Sequence, residues 1–214
     1  MIQRAFGSLQ VPGAEFVYPT APFSLGCPDG TSELRDRHGA WTWFQTESIH
    51  GLYPGLEGGL DSIGSILKHS GPFDGVVGFS EGAAAAAMVA SLLEESRKDA
   101  FAQLEAEGGI PYPACFATLD HPPLKFVVSI SGYAASHPAY RAFYNPSIRT
   151  PALHFLGSMD SVVDENASIS LVESCQELKD EKKPNVIWHA GGHAVPRGKR
   201  ELTAVVHFIK SNGS

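Results

Sequence analysis

The stretch GVVGFSEGAAAAAMVASLLEE, Gly75 to Glu95, changes character at its serine. A short run of β-branched and aromatic residues, GVVGF, leads into Ser80, and an alanine-rich series of strong helix formers follows it. The pattern predicts a buried strand, a sharp turn at Ser80 and a helix. The GxSxG spacing is weak evidence alone, because with 22 glycines in 214 residues it arises by chance about 0.2 times in such a chain. Its place between strand and helix gives it weight. Side chains two positions before and two after the serine are expected to collide where strand folds onto helix, and Gly78 and Gly82 remove them. The turn then lifts the Ser80 hydroxyl at the carboxyl end of the strand and aims the backbone N–H of Glu81 at the same spot, beside the helix N-terminus. The Glu81 side chain is expected only to complement the helix dipole.

Further apolar runs read as strands: EFVY (Glu15 to Tyr18), KFVVSIS (Lys125 to Ser131), ALHFLG (Ala152 to Gly157) and NVIWHA (Asn185 to Ala190). Like GVVGF, each is expected to be buried on both faces. Helical patterns cover Leu56 to Lys68, Ala83 to Glu107 with a break, Asp164 to Lys179, and Arg197 to Lys210. The alanines at 83 to 87 suit a helix with a slim face on a sheet. Strands alternating with helices predict a single α/β domain over residues 1–214, with a parallel sheet covered by helices on both faces.

A serine alcohol needs a base to take its proton and an acid to orient that base. Each should follow a later strand at the same sheet edge. The segment SMDSVV after ALHFLG offers Asp160, and GGHAVP after NVIWHA offers His193, so three strands deliver Ser80, Asp160 and His193 to one rim. Asp164 immediately precedes a helical pattern and reads as an N-cap. His154 and His189 lie within predicted strands and read as core histidines. WTWF (Trp41 to Phe44), with Tyr53 and Tyr133, either walls an acyl pocket or is plain core; Phe79, Trp41, Trp43 and Tyr133 are the candidate substrate-binding residues.

Composition narrows the partners. The net charge is −7, and the densest basic run, KDEKK (Lys179 to Lys183), is interrupted by acids, which argues against nucleic acid. No run of 18 apolar residues could span a bilayer, and the first residues lack the apolar core of a secretory signal, so a soluble cytoplasmic protein is expected. Cys27, Cys115 and Cys175 have no CxxC spacing, which fits a reducing compartment. No spacing calls for a metal or an organic cofactor.

The segments EFVYPTAPF, AWTWF, GFSEGAA, ISGY, LHFLGSMDSVV and GGHAVP resemble, in order, the signatures of the fungal FSH-type serine hydrolases, relatives of the ovarian cancer-associated 2 protein. The resemblance covers nearly the whole chain. It implies an α/β-hydrolase fold and carboxylesterase or thioesterase activity on a small-molecule ester or acyl thioester. In some fungal members the acyl group is a polyketide carried on an acyl carrier protein. Nucleophile, acid and base carry over to Ser80, Asp160 and His193. The resemblance also implies a strand between EFVY and GVVGF, ending in a His-Gly loop that supplies a second oxyanion N–H. No such strand or loop precedes EFVYP; the chain is expected to start within the following helix, at MIQRAFGSLQ, and either Met1 is internal to a longer chain or this form is a weakened hydrolase. A non-catalytic binding protein and an acyltransferase are the competing readings.

Overall fold

The computed structural model describes residues 11, 13–25, 40–45, 51–176 and 185–213. The expected start at MIQRAFGSLQ, Cys27 and the end of the third predicted helix lie outside them.

Two short strands, β1 (Phe23–Ser24) and β2 (Trp41–Thr42), form an antiparallel pair. Among the described residues the main sheet has four parallel strands in sequential order: β3 (Gly75–Phe79), β4 (Phe126–Ile130), β5 (Ala152–Gly157) and β6 (Asn185–His189). The helices α1 (Leu56–Ser70), α2 (Glu81–Leu92), α3 (Arg97–Glu105), α4 (Ala114–Ala117), α5 (Glu165–Glu173) and α6 (Lys199–Asn212) complete the order, with a 3-10 turn at Pro138–Phe143. The α5 helix is capped by the Asp164 carboxylate, which accepts from the N–H groups of Asn166 and Ala167, as its position in the sequence predicted. The break expected between Ala83 and Glu107 separates α2 from α3.

Alternation along the central strands sorts the core into two layers. Phe126, Val128, Ile130, Leu153 and Phe155 pack with Val205, Phe208 and Ile209 of α6. Val127 faces the opposite layer, against the alanines of α2, Leu60 of α1 and Phe101 of α3. The α2 helix shows more than a slim buried face: Ala83 to Leu92 are all buried, because other elements enclose it as well as the sheet. Among the described residues, no helix is long and apolar enough to cross a membrane.

A buried knot ties the far end of this layer together. Arg97 donates to Glu94 at 2.7 Å and to the carbonyls of Ala142 and Pro146. Glu94 also accepts from the backbone N–H groups of Arg149 and Thr150. These bonds hold the charged ends of the pair away from water, although the buried Arg97 Nε has no partner.

Two strand expectations need correction. All of β4 is buried and so is the middle of β5, but β3 and β6 are the outer strands among the described residues; β3 is only half-buried, and Trp188 of β6 is 45% exposed. EFVY forms no strand. A cavity of about 900 Å³ is lined both by Gly75 to Gly78 of β3 and by residues 13–20. EFVY has the composition of a strand but pairs with none among the described residues, and without a hydrogen-bonding neighbour extended backbone does not become sheet.

Candidate active site

Three of the four parallel strands deliver a side chain to their common carboxyl end. Ser80 follows β3 directly and starts α2 with φ 57° and ψ −125°, a conformation non-glycine residues seldom adopt. Its N–H donates to the Ile130 carbonyl at 2.8 Å, and its own carbonyl accepts from Ala83 and Ala84, which anchors the turn on both sides. A Cβ on Gly78 would lie 2.2 Å from the Gly82 carbonyl oxygen and 2.5 Å from the Ala83 Cα, so glycine is required there. Gly82 differs from expectation. A Cβ there would meet only the Trp43 indole nitrogen at 3.8 Å, an ordinary contact, so among the described residues no steric demand explains it.

Asp160 sits in the turn after β5 and His193 in the turn after β6. His193 Nε2 lies 2.9 Å from Ser80 Oγ, and His193 Nδ1 lies 2.9 Å from Asp160 Oδ2. The other carboxylate oxygen, Oδ1, accepts from the N–H groups of Val162 at 2.9 Å and Val163 at 3.0 Å. Burial alone would raise the Asp160 carboxyl. The N–H of Val163, the His193 ring, the N–H of Val162 and the Ser131 hydroxyl outweigh it and bring the carboxyl down from 3.8 to about 2. Ser131 acts from beyond hydrogen-bonding range, since its buried oxygen has no bonded partner. Phe79 rests on the His193 ring with centroids 4.9 Å apart, which restricts the imidazole from a second direction.

Backbone N–H groups in the first turn of α2, Glu81 among them, have no acceptor within the helix. The Glu81 side chain does more than complement a dipole. Its carboxylate accepts from the Trp43 N–H at 2.5 Å and from the Thr42 hydroxyl, fastening β2 and the residues after it beside the Ser80 turn. Sequence reasoning missed this link because its partners lie nearly forty residues apart, with no local pattern joining them.

The aromatic residues divide. Phe44 is fully buried and stacked on Tyr53, which is stacked on Tyr140, so these three are core. Trp41 is 51% exposed, and Trp43 is half-buried beside Gly82. The Tyr133 hydroxyl is buried without a hydrogen-bond partner; burial first, then the nearby Tyr53 and Glu81, pushes its pKa well up, leaving it a proton donor at any working pH. His154 is a core histidine as expected, but neither ring nitrogen has a partner; burial lowers its pKa to about 4 and keeps it neutral. At His189, Nδ1 accepts from the Gly191 N–H. The 900 Å³ cavity includes Trp43 and Gly82 but none of Ser80, Asp160 and His193.

A parallel sheet with a serine on a strained strand-to-helix turn, facing a histidine and an aspartate at the same edge, defines the class of α/β-hydrolase folds. The chain belongs to the serine hydrolase (FSH1) family, whose model matches residues 2–205. It is similar to a Schizosaccharomyces pombe protein named dihydrofolate reductase, with 34% identity over 81% of this chain and 33% of that protein. It is also similar to esterase OVCA2 of Danio rerio, with 28% identity over 73% of this chain and 57% of that protein. The chain thus spans between a third and just over half the length of these two relatives. Among solved structures, a point variant of Arabidopsis thaliana SOBER1 matches with a TM-score of 0.56 and 17% identity, over the whole of this chain and 90% of that one, a likeness of fold.

Proposed function

We propose that this chain hydrolyses carboxylic esters or thioesters through an acyl-enzyme on Ser80. The observation that carries the reading is the pair of 2.9 Å contacts from Ser80 Oγ to His193 Nε2 and from His193 Nδ1 to Asp160 Oδ2. His193 takes the Ser80 proton as Oγ attacks the acyl carbon, and Asp160 holds the proton on Nδ1 so that Nε2 is free to accept. The Glu81 N–H, at the positive end of α2, donates to the oxyanion. His193 then gives its proton to the leaving oxygen or sulfur, and water releases the acyl group by the same steps in reverse roles. Family membership and the likeness to an esterase support the reaction class. Trp43, whose N–H is bound by Glu81 and whose indole lies beside Gly82, and Tyr133, close enough to feel the Glu81 charge, are the candidates to contact the acyl group.

Intact-mass spectrometry after incubation with a fluorophosphonate tests the nucleophile. One adduct on the wild-type chain and none on Ser80→Ala is expected. Equal labelling of both, or equal hydrolysis of a short acyl ester, would sink the reading.

A further inference from the structure

Two large apolar side chains whose positions bracket Asp160 in the sequence stand in solvent: Met159 is 71% exposed and Val162 is 69% exposed. A lone exposed apolar residue is ordinary. Here the segment that carries both is locked in place. The Met159 N–H donates to the Gly191 carbonyl at 3.2 Å, the Ser158 N–H to the His189 carbonyl at 2.9 Å and the Asp160 N–H to the Gly157 carbonyl at 3.1 Å. The Val162 N–H is held by Asp160 itself, and a Cβ on Gly192 would lie only 3.1 Å from the Met159 carbonyl oxygen. The backbone that carries the two apolar groups is therefore fixed to the same frame as His193.

The direction of proton transfer says which part of a substrate leaves on the imidazole side. As the bond from Ser80 Oγ to the acyl carbon forms and the bond to the leaving atom breaks, the Ser80 proton passes through His193 Nε2 to that leaving atom. The leaving group must therefore depart on the imidazole side of Ser80. Asp160 stands behind the imidazole on its Nδ1 side, and Met159 and Val162 flank Asp160.

We propose that Met159 and Val162 form an apolar ledge for the leaving group, so that the preferred substrates are esters or thioesters of hydrophobic alcohols or thiols. This rests on the esterase reading above and adds the side of the substrate that is selected. A chain lying on a ledge buries one flank of each methylene, which gives about a 2-fold gain in kcat/KM per carbon, half the effect of full burial.

The test uses ethyl, butyl, hexyl and octyl acetate, whose alcohols have nearly equal acidity, with every rate expressed relative to the ethyl ester. The wild-type chain should gain about 2-fold per methylene, and the double variant Met159→Ser, Val162→Thr should lose most of that slope. A parallel series from ethyl acetate to ethyl octanoate should keep its slope in the variant. A flat wild-type series, an unchanged slope in the variant, or a loss confined to the acyl series would overturn the ledge. A change of oligomeric state in the variant with the slope retained would do so too, assigning the surface to a second copy. If turnover is too slow to follow, 1-alkanols are titrated against fluorophosphonate labelling of Ser80; octanol should protect at lower concentration than butanol in wild type and lose that advantage in the variant. Equal labelling of Ser80→Ala instead removes the esterase reading, an outcome separate from failure of the ledge.

Discussion

Replacing Asp160 with asparagine removes a charge while keeping the shape of the side chain, and the geometry fixes how the amide must lie. Oδ1 of Asp160 accepts from two backbone N–H groups, at 2.9 and 3.0 Å, and Oδ2 faces His193 Nδ1 at 2.9 Å. An asparagine can satisfy both N–H groups only with its carbonyl oxygen. The opposite orientation would aim an NH2 at two donors and leave each unpaired, at about 1–3 kcal/mol apiece. The NH2 is therefore forced toward Nδ1, which must accept, and the ring proton moves to Nε2. Nε2 then points a hydrogen at Ser80 Oγ across 2.9 Å and cannot take its proton. The expected loss in kcat/KM is about 10⁴-fold, which corresponds to about 5.5 kcal/mol of transition-state stabilisation. Initial rates on a short acyl ester, with near-UV circular dichroism to show the fold intact, measure it. Asp160→Asn retaining activity within about tenfold of wild type would mean that the tautomer argument is wrong, even if Ser80 is the nucleophile.

The carboxyl of Asp160 supplies a second expectation. Its folded pKa, about 2, lies below the ordinary 3.8, so the bound form in the folded state is the carboxylate; its contribution is complete above about pH 4 and fades as pH falls toward 2. Urea unfolding from about pH 5 to 2 should show wild type losing about 2 kcal/mol that Asp160→Asn does not lose. Gly78→Ala forces a Cβ into backbone 2.2 to 2.6 Å away and should cost about 3 kcal/mol or prevent folding, whereas Gly82→Ala, with one contact at 3.8 Å, should fold normally in the same thermal melts. Arg97→Met strands the buried Glu94 carboxylate and two carbonyls, and should lower unfolding free energy by about 3–5 kcal/mol; a loss below about 1 kcal/mol in urea titration would contradict that account.

What could be read from the sequence depended on how local its cause is. The runs GVVGF and ALHFLG coincide with β3 and β5 because five or six apolar, β-rich residues bounded by turn signals carry their own strand preference. EFVY carries the same preference, yet pairing is a property of two segments, and only the three-dimensional arrangement shows that none of the described strands pairs with it. The meeting of Ser80, Asp160 and His193 was legible because each follows a strand of one parallel sheet, so position along the chain already implies an edge. The Glu81 link to Thr42 and Trp43 had no such signal, and the division of the aromatic segment into buried Phe44 and exposed Trp41 depends on packing against Tyr53 and Tyr140. Gly82 marks the reverse error: a motif position suggested crowding where the described residues leave room.

Ser80 and His193 are separated by 113 positions in the chain, and the strand that delivers the histidine is the last of the described strands to be made. During synthesis the serine thus leaves the ribosome long before the group that would awaken it. On the proposed reading, until β6 joins the sheet Ser80 is an ordinary alcohol, chemically silent toward every ester around it. Reactivity arrives only with the finished fold, so the rate at which a growing or refolding population acquires a covalent serine label becomes a clock for the closing step of its assembly.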